Sequence, residues 1–177
     1  MKILETERLI LREIVENDDE FILDLLNQPS FIKYIGDRHV RTVDDAKNFI
    51  ENRYRASYAE HGFGLYTVEL KVESETKNQK PKTKNLIPIG ICGFVKRDTL
   101  PEADIGFAFL PQFERKGYAL ESATAIMEYG RETLKLKRVL AITSIDNESS
   151  GRLLAKLGFE FEDLIKSGDE QLKLFST

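Results

Sequence analysis

One cysteine, Cys92, stands in the 177 residues, so no disulfide can close within the chain and no multi-thiolate zinc site can form. Its surroundings, "IPIGICGF", hold no histidine or cation to lower its pKa, which predicts a buried, inert thiol rather than a nucleophile. Histidine is nearly as scarce. His39 and His61 have no carboxylate or cysteine partner at ligand spacing, so no structural or catalytic metal is expected. A cationic surplus is missing too: the formal net charge is -4, which provides no global field for nucleic acid or an anionic membrane. No apolar run approaches the roughly 18 residues of a membrane span, and "MKILETERLIL" lacks a signal peptide's long apolar region, so the expected location is cytoplasmic. Neither G-x-x-x-x-G-K-[ST] nor G-x-G-x-x-G occurs, which argues against the common nucleotide-binding α/β folds.

What is present is enough apolar material, 41% of the chain, for one well-packed domain over residues 1–177. "TERLILREI" alternates as a strand with both faces partly covered. "ENDDEFILDLLNQP" predicts a helix capped at Asn17 or Asp18 and stopped at Pro29, and "RTVDDAKNFIENRYRASYAEHG" a second, capped by Thr42 and ended by Gly62. "FGLYTVELKV" and "IPIGICGFVKR" read as strands bracketing a lysine-rich loop, 73–86. That loop reads as a solvated connection, with a weak basic patch as the alternative. "EADIGFAFLP" is a further strand, followed by a helix from Tyr118 to Leu134, a strand in "KRVLAITSI", and a short helix in "DNESSGRLLAKLGF" with Gly158 just past its end. The tail reads as a hairpin turning at "SGDE". Strand, two helices, three strands, helix, strand, helix and two strands make a mixed-sheet α/β domain with helices on both faces.

Chemistry concentrates at "QFERKGYALESATAIMEYG". A strand that runs through a glycine-containing turn into a helix N-terminus presents free N–H groups and a positive dipole end, which suit an anion such as phosphate. Arg115 and Lys116 add charge to that turn.

"IGFAFLPQFERKGYALESA", followed by "DNESSGRLLAKLGFEFE", resembles the acetyl-CoA-binding core of the GNAT superfamily of N-acetyltransferases, in its ribosomal-protein N-acetyltransferase (RimJ/RimL-like) branch. "LETERLILRE" resembles the branch's opening strand, so the likeness covers nearly the whole chain. It implies a single-domain GNAT-like α/β fold, with a mixed, mostly antiparallel sheet of about seven strands and about four helices. It implies acetyl-CoA as cosubstrate and no metal. N–H groups from Arg115 through Lys116, Gly117, Tyr118 and Ala119 to Leu120 would cradle the CoA pyrophosphate. Phe109 would offer main-chain groups to pantetheine, Asn147 would hydrogen-bond the same arm, and Ser150 would lie near the thioester sulfur. The family's phosphate motif, Q/R-x-x-G-x-G/A, reads "ERKGYA" here. Glu114 replaces the polar or basic residue, and Arg115 replaces an additional glycine often found there. A carboxylate facing pyrophosphate would repel it, so Glu114 is expected to turn away or to pair with a cation.

The implied reaction is direct attack of an amine on the thioester, which requires no covalent enzyme intermediate and hence no role for Cys92. A carboxylate to take the amine's proton is wanted, and Asp104, Glu102 and Glu162 are the candidates, with Ser150 as a proton donor to the thiolate. The acceptor would be a small-molecule amine or a protein N-terminus, the protein a monomer or homodimer, and nucleic acid and membrane no partners. The competing reading is a catalytically silent CoA-binding module that acts by regulation.

Overall fold

The computed structural model describes residues 1–72, 85–168 and 170–177. Most of the lysine-rich segment and Asp169 of the "SGDE" turn lie outside the described residues, and with them the expectations of a solvated loop and of that turn.

Alternating apolar residues fix the frame. In β2 (Leu9–Glu13), Leu9 and Leu11 are fully buried, and the strand pairs on one side with β1 (Lys2–Glu5) and on the other with β3 (Leu65–Val72). The sheet continues through β4 (Asn85–Val95), β5 (Asp104–Phe109) and β6 (Leu140–Ser144). It closes with β8 (Glu170–Ser176) and then β7 (Glu160–Ser167), in the order β1-β2-β3-β4-β5-β6-β8-β7. Every neighbouring pair is antiparallel except β5 and β6.

Helices cover both faces, and adjacent residues of β4 show it. Cys92 and Phe94 join the core under α5 (Tyr118–Glu132) and α6 (Glu148–Lys156), which contribute Ala123, Ile126 and Leu154. Ile91 joins the opposite core, beneath α1 (Asp19–Leu26), α2 (Pro29–Ile35) and α3 (Val43–Phe49), which contribute Ile22, Leu25, Phe31 and Ala46. Cys92 is buried as expected, and burial pushes its thiol up to about 12. The register between β3 and β4 slips between Val68 and Glu69, which places Ile89 opposite no partner and lets Ile89 and Ile91 enter different cores.

Thr42 caps α3 as predicted, its hydroxyl accepting from the Asp45 amide while the Asp45 carboxylate accepts from the Thr42 amide. The helix then widens into a π-helical stretch, Ile50–Arg55, before continuing as α4 (Ala56–His61), so 43–61 is one rod and the described residues hold five helices. At its far end Tyr58 stacks on Tyr66 with ring centroids 5.6 Å apart, accepts a hydrogen bond from the Ile14 amide and donates one to the Leu65 carbonyl. This side chain ties the helical layer to β3.

Sequence and structure part in three places. Pro29 does not merely stop α1: it occupies the first turn of α2, where its missing N–H costs nothing, so a stop signal and a start signal share one residue. β1 has no glycine or proline to mark it, and it pairs with β2 through a tight return in which the Thr6 amide reaches the Leu9 carbonyl. Asp18 is not a side-chain cap for α1. It lies buried against Arg12, accepting from both guanidinium nitrogens at 2.7 Å, while Glu69 takes the same arginine at 2.9 Å.

Gly130, mid-helix in α5, has a packing role. A Cβ there would come within 2.5 Å of the fully buried Phe94 ring. Glycine to alanine normally favours a helix by about 1 kcal/mol, whereas forcing a methyl into a filled core costs about 1–3 kcal/mol. Gly130→Ala is expected to lower the thermal midpoint by about 2–4 °C despite the better helix former. A thermal scan that shows equal or higher stability would mean that Phe94 can step aside.

Candidate active site

β5 and β6 run parallel but form a ladder at a single couple, Asp104 with Leu140, where the Leu140 amide donates to the Ala103 carbonyl at 2.9 Å. Beyond it the strands have no pairing. The Leu110 amide bonds to the Ile89 carbonyl, so even-numbered residues of β5 turn their main-chain groups to β4. Phe107 and Phe109 therefore turn theirs away from β4, into the wedge between β5 and β6. Parallel edges left open this way can hydrogen-bond an extended chain laid between them. Thr143, on the β6 wall, has a buried hydroxyl with no hydrogen-bond partner among the described residues, as expected of a site that takes a polar ligand.

At the end of β5 the chain makes a short 3-10 turn, Pro111–Phe113, and enters α5 through two left-handed residues, Arg115 (φ 59°) and Gly117 (φ 84°). The first helical bond inside α5's entry runs from the Glu121 amide to the Gly117 carbonyl. Among the described residues, no N–H from Arg115 to Leu120 finds an acceptor. A continuous run of free donors at the positive end of a 15-residue helix has the chemistry that phosphate oxygens require. Arg115 and Lys116 are exposed beside it, with Lys116 Nζ 5.7 Å from the Phe113 ring centre. Glu114 is exposed and has no cation partner among the described residues.

The turn is fixed from a distance. Arg8 donates to the Lys116 carbonyl at 3.1 Å, packs its guanidinium 4.6 Å from the Tyr118 ring centre and pairs with Glu121 at 2.6 Å. Glu121 also accepts from the Thr6 hydroxyl and the Arg8 amide. Burial works against the charged form of Glu121, but the hydrogen bonds from Thr6 and Arg8 outweigh it and hold its carboxyl below the ordinary value. The residues "TERL" read only as strand in the sequence, because their partners on α5 are more than a hundred positions away.

The remaining candidates are distributed around the wedge. Asn147 caps α6, its carboxamide oxygen accepting from the Ser150 amide at 3.1 Å, which leaves its nitrogen without a partner among the described residues. Ser150 thus sits in the first turn of α6. Asp104 lies at the wedge apex, 1% exposed, with Arg97 donating to it at 2.8 Å; burial raises its pKa and Arg97 opposes the rise. Glu162, on β7, accepts from Ser176 and Arg138. The Ser176 bond leads the interactions that hold its carboxyl below the ordinary value, against an opposing effect of burial. Glu102 precedes β5 rather than sharing it, with Oε2 3.5 Å from Arg138. Among the described residues no group of histidine, cysteine, aspartate or glutamate gathers as a metal site.

An eight-stranded mixed sheet whose parallel pair splays beside a helix N-terminus defines a CoA-dependent acyltransferase fold. The family model of the acetyltransferase (GNAT) domain matches residues 8–160. YoaA of Bacillus subtilis (strain 168), an uncharacterized N-acetyltransferase, is 32% identical over 165 residues, spanning 93% of this chain and 86% of that protein. The acetyltransferase (GNAT family) structure from Bacillus anthracis aligns with a TM-score of 0.75 at 27% identity, covering 100% of this chain and 98% of its own. RimL, the ribosomal L7/L12 alpha-N-protein acetyltransferase solved with coenzyme A, aligns with a TM-score of 0.80 at 14% identity, covering 100% and 97%. The chain belongs to the GNAT acetyltransferase family. It is an acetyl-CoA-dependent enzyme of that class.

Arg115 stands in the left-handed region, which costs a side chain about 1–2 kcal/mol and glycine nothing comparable. That explains the glycine often found there in the family's motif. Arg115→Gly is expected to be more stable than Arg115→Ala by about 1 kcal/mol, because both lose the charge and only the first loses the strain. Both should weaken CoA binding by about twofold to fivefold, the worth of one exposed charge. Equal melting temperatures for the two variants would remove the strain argument, and unchanged CoA affinity would remove the charge argument.

Proposed function

We propose that this enzyme acetylates the primary amine of a small molecule or of a protein N-terminus, with the CoA pyrophosphate on the N–H run from Arg115 to Leu120 and the pantetheine arm in the wedge. The observation that carries the reading is the continuity of the two features. The unpaired main-chain groups of Phe107 and Phe109 lead directly, through one short turn, to the free donors of α5. Gly117 and Ala119 keep that surface open to backbone approach, and Asn147's free nitrogen supports the arm from the β6 side. Arg115 and Lys116 neutralise phosphate charge that the helix dipole alone, at about 0.3–1 kcal/mol, would meet only in part. Glu114, exposed at the turn, can point to solvent and leave the phosphates to its neighbours.

Acetyl-CoA supplies an activated acyl group, whose carbonyl carbon a neutral amine attacks to give the amide and release the thiol. The protein's part is to hold the arm, exclude water and move protons. Asp104 is the carboxylate best matched to take the amine's proton. Its burial raises its affinity for a proton, and it stands where the wedge closes. Glu162 is committed to Ser176 and Arg138 and held in its charged form, so it is the weaker base. Ser150, in the first turn of α6, is the donor that returns a proton to the departing sulfur. Membership in the RimJ/RimL-like branch fits the "TERLILR" opening and its clamp on α5, and among the described residues no helix is long and apolar enough to cross a membrane.

Asp104→Asn is expected to reduce kcat by about 10²- to 10⁴-fold, the usual worth of a positioned base, with the CoA-induced thermal shift intact. Glu162→Gln should leave kcat nearly unchanged. In the wild type, kcat should fall as pH drops through Asp104's pKa, which lies above the ordinary aspartate value of 3.8. These are read by free-thiol release with a panel of amines. Full activity in Asp104→Asn would reassign the base. Stabilisation by CoA with no turnover on any amine would favour the silent regulatory module, and stabilisation by ATP but not CoA would overturn the cofactor site itself.

A further inference from the structure

The face of the sheet opposite α5 and α6 carries a second charged feature that acetyl-CoA does not use. Between α2 and α3 the segment 36–42 crosses over the helix, and an open groove of about 290 Å³ forms where Arg38 and Val40 face Phe49, Asn52 and Arg53. That volume lies at the small end of ligand sites and suits a metabolite or the head of one.

The arginines of the chain divide by their partners. Arg8, Arg12, Arg41, Arg55, Arg97, Arg138 and Arg152 all meet carboxylates within 4 Å. Among the described residues, Arg38, Arg53, Arg115 and Arg131 do not; Arg131 is exposed in the last turn of α5 and Arg115 stands at the turn before that helix, whereas Arg38 and Arg53 come together to line this groove. The titratable groups that face the groove are Arg38, His39, Asp45 and Arg53. Asp45 keeps its charge but is turned to the α3 cap, accepting from the amides of Arg41 and Thr42 at 3.0 and 2.9 Å, and it makes no ion pair with either arginine among the described residues. His39, held at φ 56°, stands 3.5 Å from Asp37, which Arg41 also engages. Partial burial, and after it the charge of Arg97, depress the pKa of Arg38; Tyr54 opposes the fall and Arg53 adds to it, so this guanidinium stands among other cations.

Helix geometry supports the same reading. Asn48 with Asn52 and Phe49 with Arg53 stand four apart on one side of the rod, the second member of each pair inside the π-helical stretch, and such stretches concentrate at functional sites. The groove lies on the same side of the sheet as Asp104. Val40 of its lining packs in one cluster with Ala108 of β5 and Leu110 just past it, both even-numbered like Asp104, and Arg97 holds the Asp104 carboxylate there.

We propose that this groove is the acceptor subsite and that it takes a small amine bearing a phosphate or carboxylate, whose anion lies between Arg38 and Arg53 while its amino group reaches toward Asp104. This rests on the assignment of the acyl-transfer site to the wedge. The net charge of the whole chain is negative, so an anion drawn here answers to a local feature rather than to the protein's overall field.

The experiment has a binding arm and a kinetic arm, both with the full chain. Protein saturated with CoA is titrated with inorganic phosphate or acetate and its thermal midpoint followed. The wild type is expected to be stabilised, and the Arg38→Ala/Arg53→Ala double variant not. Acetyl transfer is then compared for O-phosphoethanolamine, β-alanine and ethanolamine. The double variant should raise KM for whichever anionic amine is preferred by at least tenfold, and leave KM for acetyl-CoA and turnover of ethanolamine as in the wild type. Preference between the first two amines separates a phosphate from a carboxylate head. Both arginines lie at the surface, so the variants should fold, and Arg38→Lys/Arg53→Lys should restore part of the loss. Anions that stabilise wild type and double variant equally, or anionic amines used no better than ethanolamine, would overturn the proposal. Loss of the CoA-induced shift in the wild type would instead strike the wedge assignment.

Discussion

Everything at the site depends on two parallel strands that stop pairing after one couple. A parallel ladder between β5 and β6 would satisfy the main-chain groups of Phe107 and Phe109 and close the sheet. The strands separate instead, and each obtains its remaining bonds from its outer neighbour, β4 or β8. The sheet survives the gap because it is anchored on both sides, by β2 to β4 on one flank and by the β7–β8 hairpin on the other. An opening that would ordinarily be an unsatisfied defect thereby becomes a slot with hydrogen-bonding walls, held open by the strands outside it.

The parts of this that sequence could announce are those with local causes. The "GYALESA" run declares its helix and its glycine, because a left-handed entry and small residues leave a mark on the letters themselves. Thr42 and Gly158 are legible for the same reason, each acting within a turn of its own position. The wedge is not legible, since nothing in "IGFAF" or "LAITS" distinguishes a paired edge from an open one. Neither is the clamp of Arg8 on Glu121, whose ends meet only after the whole sheet has formed. Pro29 misleads for a subtler reason: one residue serves two helices, and its letter shows only the stop.

Charge placement carries a comparable division of labour. Arg12, itself half-buried, pairs with the buried Asp18 and Glu69, and Arg97 pairs with the buried Asp104, so these cations belong to the architecture. Such pairs are weak contributors to net stability but are costly to break singly, which makes them good at fixing one arrangement. Arg115, Lys116, Arg38 and Arg53 lie at the surface in two groups on opposite sides of the sheet. In the reading proposed above, the protein meets its cosubstrate with the first group and presents the second to the other reactant. A single wedge is then approached from two faces by ligands that need not compete for the same cations.

The π-helical stretch in the rod 43–61 has a consequence for how the rod does two jobs. Seen along its axis, one residue too many separates the portion that lines the groove from the portion that carries Tyr58. Each residue advances a helix by about 100°, so the surplus residue acts as a phase shifter between the two ends. A regular α-helix of these same residues would still dock Ala46 and Ile50, but with no wide turn to absorb the surplus residue it would swing Tyr58 off Tyr66 and out of reach of the Ile14 amide. The irregularity therefore uncouples the two ends of one rod: the groove-facing end can be altered in composition while the sheet-facing end keeps its alignment.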